Sequence, residues 1–354
     1  MIHGLMHRRS FVSALGAGLA AVKMGLESSS ARAQAISGST NEPGPLKVVD
    51  FHNHFVGTAF TPSAGANAPA AMRPYFDQVN RSLADSAVLL SSMERAGIAA
   101  RVVNTPLEFI QDPDEDVPAG RVERINDQLA ELIARNRGRL YALATVDAFS
   151  GEAGAKELIR SVRELGLRGV FVASAKRDLL LDDPSARPTL AAAAELGVPV
   201  FVHPITDVQL RRRFGKYGRP GTTFNRGTVN SGALLALVES GLFDELRELH
   251  VVVTTLAIGG ILLAAGFAEG KLRQDPALLR RHVYVDTMGL KPALMRATLD
   301  VLGPDHVLAG TDWPIYLETD VPNRLRDALI ACGAGPAEQR MVAGENTMKL
   351  LGVA

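Results

Sequence analysis

Short apolar runs rich in β-branched residues alternate along this chain with longer segments whose apolar residues recur at helical spacing. Between Leu83 and Met93, for example, apolar residues return every three or four positions, which places them on one face of a helix. Gly97 ends that helix, and a β-branched run follows. The apolar runs predict eight strands: Leu46–Phe51, Ile98–Asn104, Leu140–Val146, Leu167–Ala173, Val198–His203, Leu249–Thr255, His282–Thr287 and His306–Thr311.

Strands that alternate with helices pair in parallel, and eight such units close most naturally into a (β/α)₈ TIM barrel. We therefore expect one α/β domain over residues 46–354, with a doubly wound open sheet as the alternative. Segments 55–80 and 204–229 follow the first and fifth strands and are rich in Gly, Pro, Arg and Phe. They are predicted to be loops at the C-terminal face of the barrel, where they would form walls of a substrate site.

Residues 1–35 have the pattern of an export signal. Arg8 and Arg9 precede an apolar run that is too short to span a bilayer core of ~30 Å, and two overlapping Ala-x-Ala cleavage sites follow. The arginine pair followed by Ser-Phe predicts a twin-arginine signal, with an ordinary Sec signal as the alternative. A linker over residues 36–45 would join it to the barrel. We expect a periplasmic protein, exported already folded and without a stable membrane anchor.

Charge and cysteine content exclude several classes of protein. The 38 basic and 38 acidic residues leave no basic excess of the kind that binds nucleic acid. Cys332 is the single cysteine, so an intrachain disulfide and a cysteine-rich zinc or iron–sulfur site are excluded. We expect Cys332 to be a buried free thiol.

Histidines at the starts of predicted strands have a different expected role from those at the ends. His250, His282 and His306 each begin a strand, which places them at the bottom of a barrel and away from its active-site face. We expect these three to be structural.

Four other side chains are predicted to meet at the active-site face. His52 and His54 are two residues apart at the end of the first strand and therefore point to the same side. His203 ends the fifth strand, and Asp312 ends the eighth, which closes against the first. Three nitrogens and one oxygen suit Zn²⁺ best, with Mn²⁺ or Fe²⁺ as alternatives, and leave a position for water or substrate.

Three motifs give the chain a specific resemblance: Asp50-Phe51-His52-Asn53-His54, Val200-Phe201-Val202-His203-Pro204 and Gly310-Thr311-Asp312-Trp313-Pro314. The chain resembles the amidohydrolase superfamily, in the branch of aminocarboxymuconate-semialdehyde decarboxylase and γ-resorcylate-type decarboxylases. Softer matches follow in the family's order up to residue 352. The resemblance implies one divalent metal ion held by His52, His54, His203 and Asp312, and a small carboxylated substrate. Many members of this branch are dimers or larger, so a homodimer is allowed, although no residue pattern indicates one.

One position departs from the family's pattern. The sixth strand usually ends in Thr-His-x-Gly-Gly, and its histidine donates or accepts a proton near the metal. Here Thr255 stands at that position. A threonine hydroxyl does not titrate near neutral pH, so general acid/base work must lie elsewhere.

Three kinds of chemistry remain open. The first is non-oxidative decarboxylation of a small carboxylated, aromatic or cyclic compound at the metal. The second is hydrolysis of a lactone, ester or amide, in which Asp312 would accept a proton from metal-bound water. The third is ligand binding by a homologue that has lost catalysis.

Several further side chains are candidates for the site. Asp286 and Asp147, at the ends of strands seven and three, could replace the missing acid/base, or they could form structural hydrogen bonds. Cations that could pair with a substrate carboxylate, unless they are solvated surface charges, are Lys176, Arg177 and Arg226. Trp313 and Phe224 could stack on a substrate ring, or pack beneath the loops.

Overall fold

The computed structural model describes residues 44–353, apart from positions 67 and 69 and residues 267–275. The predicted export signal (1–35) and all but the last two residues of the predicted linker (36–45) lie outside the described residues. Among the helices that are described, none is both long and apolar enough to cross a membrane.

The described strands are short and mostly buried. They are β1 (Val48–His54), β2 (Ile98–Asn104), β3 (Leu140–Ala142), β4 (Ala144–Thr145), β5 (Val170–Ala173), β6 (Ala175–Lys176), β7 (Leu179–Leu180), β8 (Val200–His203), β9 (Val251–Val253), β10 (Val283–Asp286) and β11 (Val307–Leu308). All seven residues of β1 are buried, as expected of a strand covered on both faces. β6 and β7 form a small antiparallel hairpin after β5.

The other strands pair in parallel, in two sets that hydrogen bonds join into a ring. One set has the order β1-β2-β3, and the other has the order β11-β10-β9-β8-β5-β4. Between β3 and β4, the amide of Leu143 donates to Val103 O, and that of Ala144 donates to Gly169 O. At the opposite seam the amide of Phe51 donates to Ala309 O at 2.8 Å. The predicted α/β fold of parallel strands is confirmed.

Helices follow most of the strands. They are α1 (Arg73–Ala84), α2 (Ser86–Ala96), α3 (Arg121–Arg135), α4 (Glu152–Arg163), α5 (Arg187–Leu196), α6 (Val208–Phe214), α7 (Arg219–Glu239), α8 (Leu242–Glu245), α9 (Ile258–Gly266), α10 (Pro276–His282), α11 (Pro292–Leu302), α12 (Val321–Ala331), α13 (Pro336–Arg340) and α14 (Asn346–Leu350). Cys332 directly follows α12 and is a buried free cysteine, as predicted.

The two segments predicted as loops contain helices, so that part of the prediction is wrong. α1 begins at Arg73, inside segment 55–80, and continues to Ala84; its buried residues Val79 and Leu83 are four apart, as on one helix face. In segment 204–229 lie α6 and the first half of α7. Pro occurs in the first turn of both α1 and α7, where its missing N–H costs no intrahelical hydrogen bond.

Two of the three histidines predicted to be structural, His282 and His306, hydrogen-bond to the backbone of a neighbouring strand or the segment before it. His282 donates through Nδ1 to Leu249 O at 2.7 Å, and His306 donates through Nδ1 to Val283 O at 2.9 Å. Burial lowers the pKa of both imidazoles, because the charged form would lose its hydration.

Acid should therefore destabilise the fold through these side chains. Their folded-state pKa lies below the unfolded value near 6.5, so their contribution is complete above that pH and is lost as the pH falls through the folded pKa. Urea unfolding at pH 7.5 and 5.5 measures the loss. In the His282→Gln variant the free energy of unfolding should depend less on pH over this range. An unchanged pH dependence would contradict the assignment.

Candidate metal centre

Four side chains meet at the carboxyl ends of three strands. His52 and His54 come from β1, His203 from the last position of β8, and Asp312 from the segment after β11. One ligand atom from each lies within 4.8 Å of the others, and the three imidazoles are buried. The structure thus brings together the four residues that the sequence predicts as metal ligands.

Hydrogen bonds on the far side of two rings orient their nitrogens. His52 Nδ1 lies 2.5 Å from Asp286 Oδ2, and His54 Nδ1 lies 2.8 Å from Asn104 Oδ1. The two Nε2 atoms are therefore left facing each other at 3.2 Å. Asp312 Oδ1 lies 3.1 Å from His54 Nε2 and 3.4 Å from His52 Nε2. A carboxylate or amide behind each histidine is the usual arrangement around protein metal ions.

The backbone after β11 places Asp312 against β1. Asp312 has a φ of +61°, which few residues other than glycine adopt, and its amide donates to His52 O at 2.9 Å. Gly310 allows the close approach of the neighbouring strands. A Cβ added there would lie 2.8 Å from the Cβ of Asp286 and 3.1 Å from that of His52. Packing therefore requires a glycine at position 310, beside the residue that the sequence predicts as a metal ligand.

The electrostatics of the cluster suit a cation. Burial lowers the pKa of His54, and it holds the pKa of His203 well below its usual range. Burial alone would also lower the pKa of His52, but the carboxylates of Asp312 and Asp286 raise it overall. Neutral imidazoles and a carboxylate facing one point fit a divalent ion, which would compensate the buried negative charge.

A cavity with about 510 Å³ of empty space, part of it open to solvent, adjoins His203. The segments that follow β2, β4, β5 and β8 form its walls, and its ionisable lining includes Glu108, Asp147 and Lys176.

Structural ion pairs involve each of the predicted substrate-binding cations. Lys176 Nζ lies 2.7 Å from Asp147 Oδ2 in the cavity wall. Both ends of the Arg226 guanidinium contact Glu108, at 2.9 and 3.1 Å. Arg177 is paired with Asp116. Lys176 therefore lines the cavity, but its charge is matched by Asp147.

The two predicted aromatic contacts are placed elsewhere. Trp313 is 2% exposed, and the guanidinium of Arg101 lies 4.9 Å from its ring centroid. Phe224 is 58% exposed and packs edge-on against Phe214. Neither ring lines the cavity beside His203. Packing beneath the loops, the alternative for Trp313, is what the structure has.

Asp286 is placed behind His52 rather than in the cavity. Its Oδ2 contacts His52, while its Oδ1 accepts from the amides of Thr255 and Met288 at 2.9 and 3.1 Å. Both oxygens are thus engaged, and the side chain is fully buried. This placement corrects the predicted acid/base role of Asp286 in favour of positioning His52.

The Asp286→Asn variant should therefore bind metal about 10- to 100-fold more weakly, because His52 loses the acceptor that orients it. Titration with Mn²⁺ and Zn²⁺ measures this affinity. At saturating metal most of the activity should return. Asp183→Asn, which removes a carboxylate that caps Ser185 in a distant turn, is the matched control. Normal metal affinity with lost activity would instead indicate direct acid/base chemistry.

Sequence reasoning missed Asn104 and Glu108. Asn104 ends β2, so the rule that found His203 and Asp312 could also have found it. Glu108 lies four residues beyond the strand in a short 3₁₀ turn, and no periodic pattern marks it. Its Oε1 lies 3.7 Å from His203 Nδ1.

Comparison with known protein families agrees with this geometry. The profile of the amidohydrolase family matches residues 49–353. The chain belongs to the amidohydrolase family. Among curated amidohydrolases, it is 24% identical to a 2-amino-3-carboxymuconate-6-semialdehyde decarboxylase of Dictyostelium discoideum, over 79% of this chain and 80% of that protein. It is 29% identical to a γ-resorcylate decarboxylase of Rhodococcus jostii, over 68% and 80% respectively.

Solved structures of the family share the fold. A dihydroxybenzoic acid decarboxylase from Polaromonas sp. JS666, solved with bound manganese and 2-nitroresorcinol, superposes with a TM-score of 0.72 at 21% identity. The superposition covers 87% of this chain and 97% of that one. At this identity the likeness concerns the fold alone.

Proposed function

We propose that this amidohydrolase-family protein is a metal-dependent decarboxylase that removes CO₂ from a small aromatic carboxylate without oxidation. The observation that carries the proposal is the convergence of His52, His54, His203 and Asp312, with His203 lining a cavity that opens to solvent. The decarboxylases among the relatives support the choice of reaction.

When bound, the metal ion would hold the substrate carboxylate with a neighbouring oxygen and withdraw electron density from the bond to be broken. The protein side chains do the rest. The three imidazoles, neutral in two cases through burial, provide the nitrogen donors. Asp312, whose side chain is 12% exposed, is the carboxylate of the cluster that can hold a proton during the reaction. The rings of Phe109 and Phe171 pack against His54 and limit the access of water.

Zinc is the metal we propose first, because three imidazoles and one carboxylate form a common zinc donor set. Manganese in the Polaromonas relative makes Mn²⁺ the main alternative. Elemental analysis of protein purified without added metal would decide between them.

Hydrolysis is the second candidate, and Thr255 favours it. Thr255 contacts the site through its backbone amide, which donates a hydrogen bond to Asp286. A strand-six acid/base is therefore missing, whereas activation of water needs only the metal and a carboxylate such as Asp312. A ligand-binding role without catalysis is the third candidate, and the same assay tests it.

The assay uses metal-loaded protein in H₂¹⁸O with 2-hydroxybenzoate, 2,6-dihydroxybenzoate and a panel of aromatic lactones. We expect CO₂ and the matching phenol in equal amounts, with no ¹⁸O in the phenol. Chelator-treated protein is the control and should be inactive until metal is restored. Ring opening of a lactone with ¹⁸O uptake would show that the protein is a hydrolase and not a decarboxylase. Tight ligand binding without turnover of any compound would support the binding role.

We also propose that the protein is exported in folded form, on the basis of the Arg8-Arg9 pair and the apolar run after it. Cell fractionation should find the processed protein in the periplasm. Replacing both arginines by lysine should retain it in the cytoplasm, whereas unchanged export of that variant would indicate a Sec signal.

A further inference from the structure

The segment after β2, which forms one wall of the cavity beside His203, is acidic. The segment that follows β2 carries five acids, Glu108, Asp112, Asp114, Glu115 and Asp116, and Glu108 and Glu115 line the cavity. The hairpin of β6 and β7 faces this segment and contributes Lys176 and Arg177, which form ion pairs with Asp116. The two cations of the hairpin are thus paired with an acid of this segment.

Within the lining of the cavity, the cationic charge is already paired with carboxylates. Among the described residues that line it, Lys176 is the cation, and the acids are Glu108, Glu115 and Asp147. Lys176 Nζ contacts Asp147 at 2.7 Å and Asp116 at 3.3 Å, and the side chains of Lys176 and Asp147 are each 11% exposed. Behind the wall, Arg226 is held by Glu108. A second substrate carboxylate would therefore meet negative charge without a spare lining cation.

From this charge arrangement we infer that the substrate is an aromatic monocarboxylate whose end opposite the carboxylate carries an uncharged or amino substituent. The inference rests on the proposed function, because it assumes that the single carboxylate binds at the metal. A hydroxyl or amino group at the far end can donate hydrogen bonds to Asp147 or Glu115. A carboxylate at the same place would repel both.

Three compounds that differ at one position test the inference. They are 2-hydroxybenzoate, 4-amino-2-hydroxybenzoate and 2-hydroxybenzene-1,4-dicarboxylate, whose fourth position carries hydrogen, an amine or a carboxylate. Calorimetric titration of the Mn²⁺-loaded protein gives the dissociation constants without requiring turnover. We expect the amine to bind at least as tightly as the parent compound, and the dicarboxylate to bind about tenfold more weakly.

Two variants test whether the acids beside Lys176 cause the weaker binding of the dicarboxylate. Asp147→Asn removes the closer and more buried of the two carboxylates that pair with Lys176, so the penalty on the dicarboxylate should shrink several-fold. Asp116→Asn removes a partner that is 82% exposed, and it should change the penalty less than Asp147→Asn does. If Asp147→Asn does not fold, Lys176→Gln provides the opposite test, and the penalty should grow.

Tight binding of the dicarboxylate by the wild-type protein would overturn the inference. An equal effect of Asp116→Asn and Asp147→Asn would overturn the role of the buried pair. Lack of CO₂ release with the order of binding intact would instead refute the proposed reaction and leave the charge preference of the cavity standing. The two failures are therefore distinguishable.

Discussion

Replacing His52 by Ala is expected to remove the metal ion and to lower kcat/KM for the proposed decarboxylation by about a thousandfold. His52 Nε2 is one of the donor atoms of the cluster, and its ring also separates Asp286 from Asp312. Without the imidazole, two carboxylates remain in a buried site and the donor set falls to three. Metal content by elemental analysis and a steady-state CO₂ assay measure the two effects.

The matched control is His250→Ala. His250 stands immediately before β9, at the other end of the strands from the ligand cluster, and no hydrogen-bond partner of its Nδ1 is found among the described residues. This variant should keep its metal and most of its activity. If His52→Ala retained stoichiometric metal and normal turnover, the assignment of the centre would be wrong.

The largest expected effect on stability follows from Asp50→Ala. Asp50 is fully buried, accepts hydrogen bonds from the amide and hydroxyl of Thr311, and lies 3.4 Å from Arg101 Nε. Burial raises the pKa of Asp50 despite this cation, and burial lowers the pKa of Arg101 to about 10. Removal of the carboxylate leaves a buried guanidinium uncompensated. We expect the free energy of unfolding to fall by roughly 3 to 5 kcal/mol.

Urea unfolding measures this loss of stability, and two further variants serve as comparisons. Asp127→Ala breaks an exposed ion pair with Arg160 and should cost less than about 1 kcal/mol. The double variant Asp50→Ala with Arg101→Met removes both charges, so part of the loss should be recovered. A loss no larger than that of Asp127→Ala would show that the buried pair contributes little.

The ligand cluster could be predicted from sequence because strand ends are well marked. The predicted fifth strand ends at His203, as β8 does, whereas β1 runs three residues beyond the predicted end at Phe51. The order of the strands in the ring then brought Asp312 beside the first strand. Period two in a strand placed His52 and His54 on one face. These inferences need only local patterns and one topological rule.

Helix α7 could not be predicted in full, because polar side chains attach its first half to the rest of the protein. Asn230 donates to Val202 O and accepts from Thr254, and Asn225 pairs with the backbone of Asp207. Such contacts leave no apolar period in the sequence. For the same reason the ion pair between Lys176 and Asp147, formed by residues 29 positions apart, was not visible before the fold was known.

The contact of Thr255 with Asp286 has a consequence for how this site could change. Because the backbone amide makes that contact, any residue other than proline at position 255 could preserve it. The side chain at this position is thus separable from the orientation of the metal ligand. A single substitution at position 255 could therefore add or remove a titratable side chain while the hydrogen bond to Asp286 stays in place. Substitutions at this position are thus a way to change the reaction that the site supports.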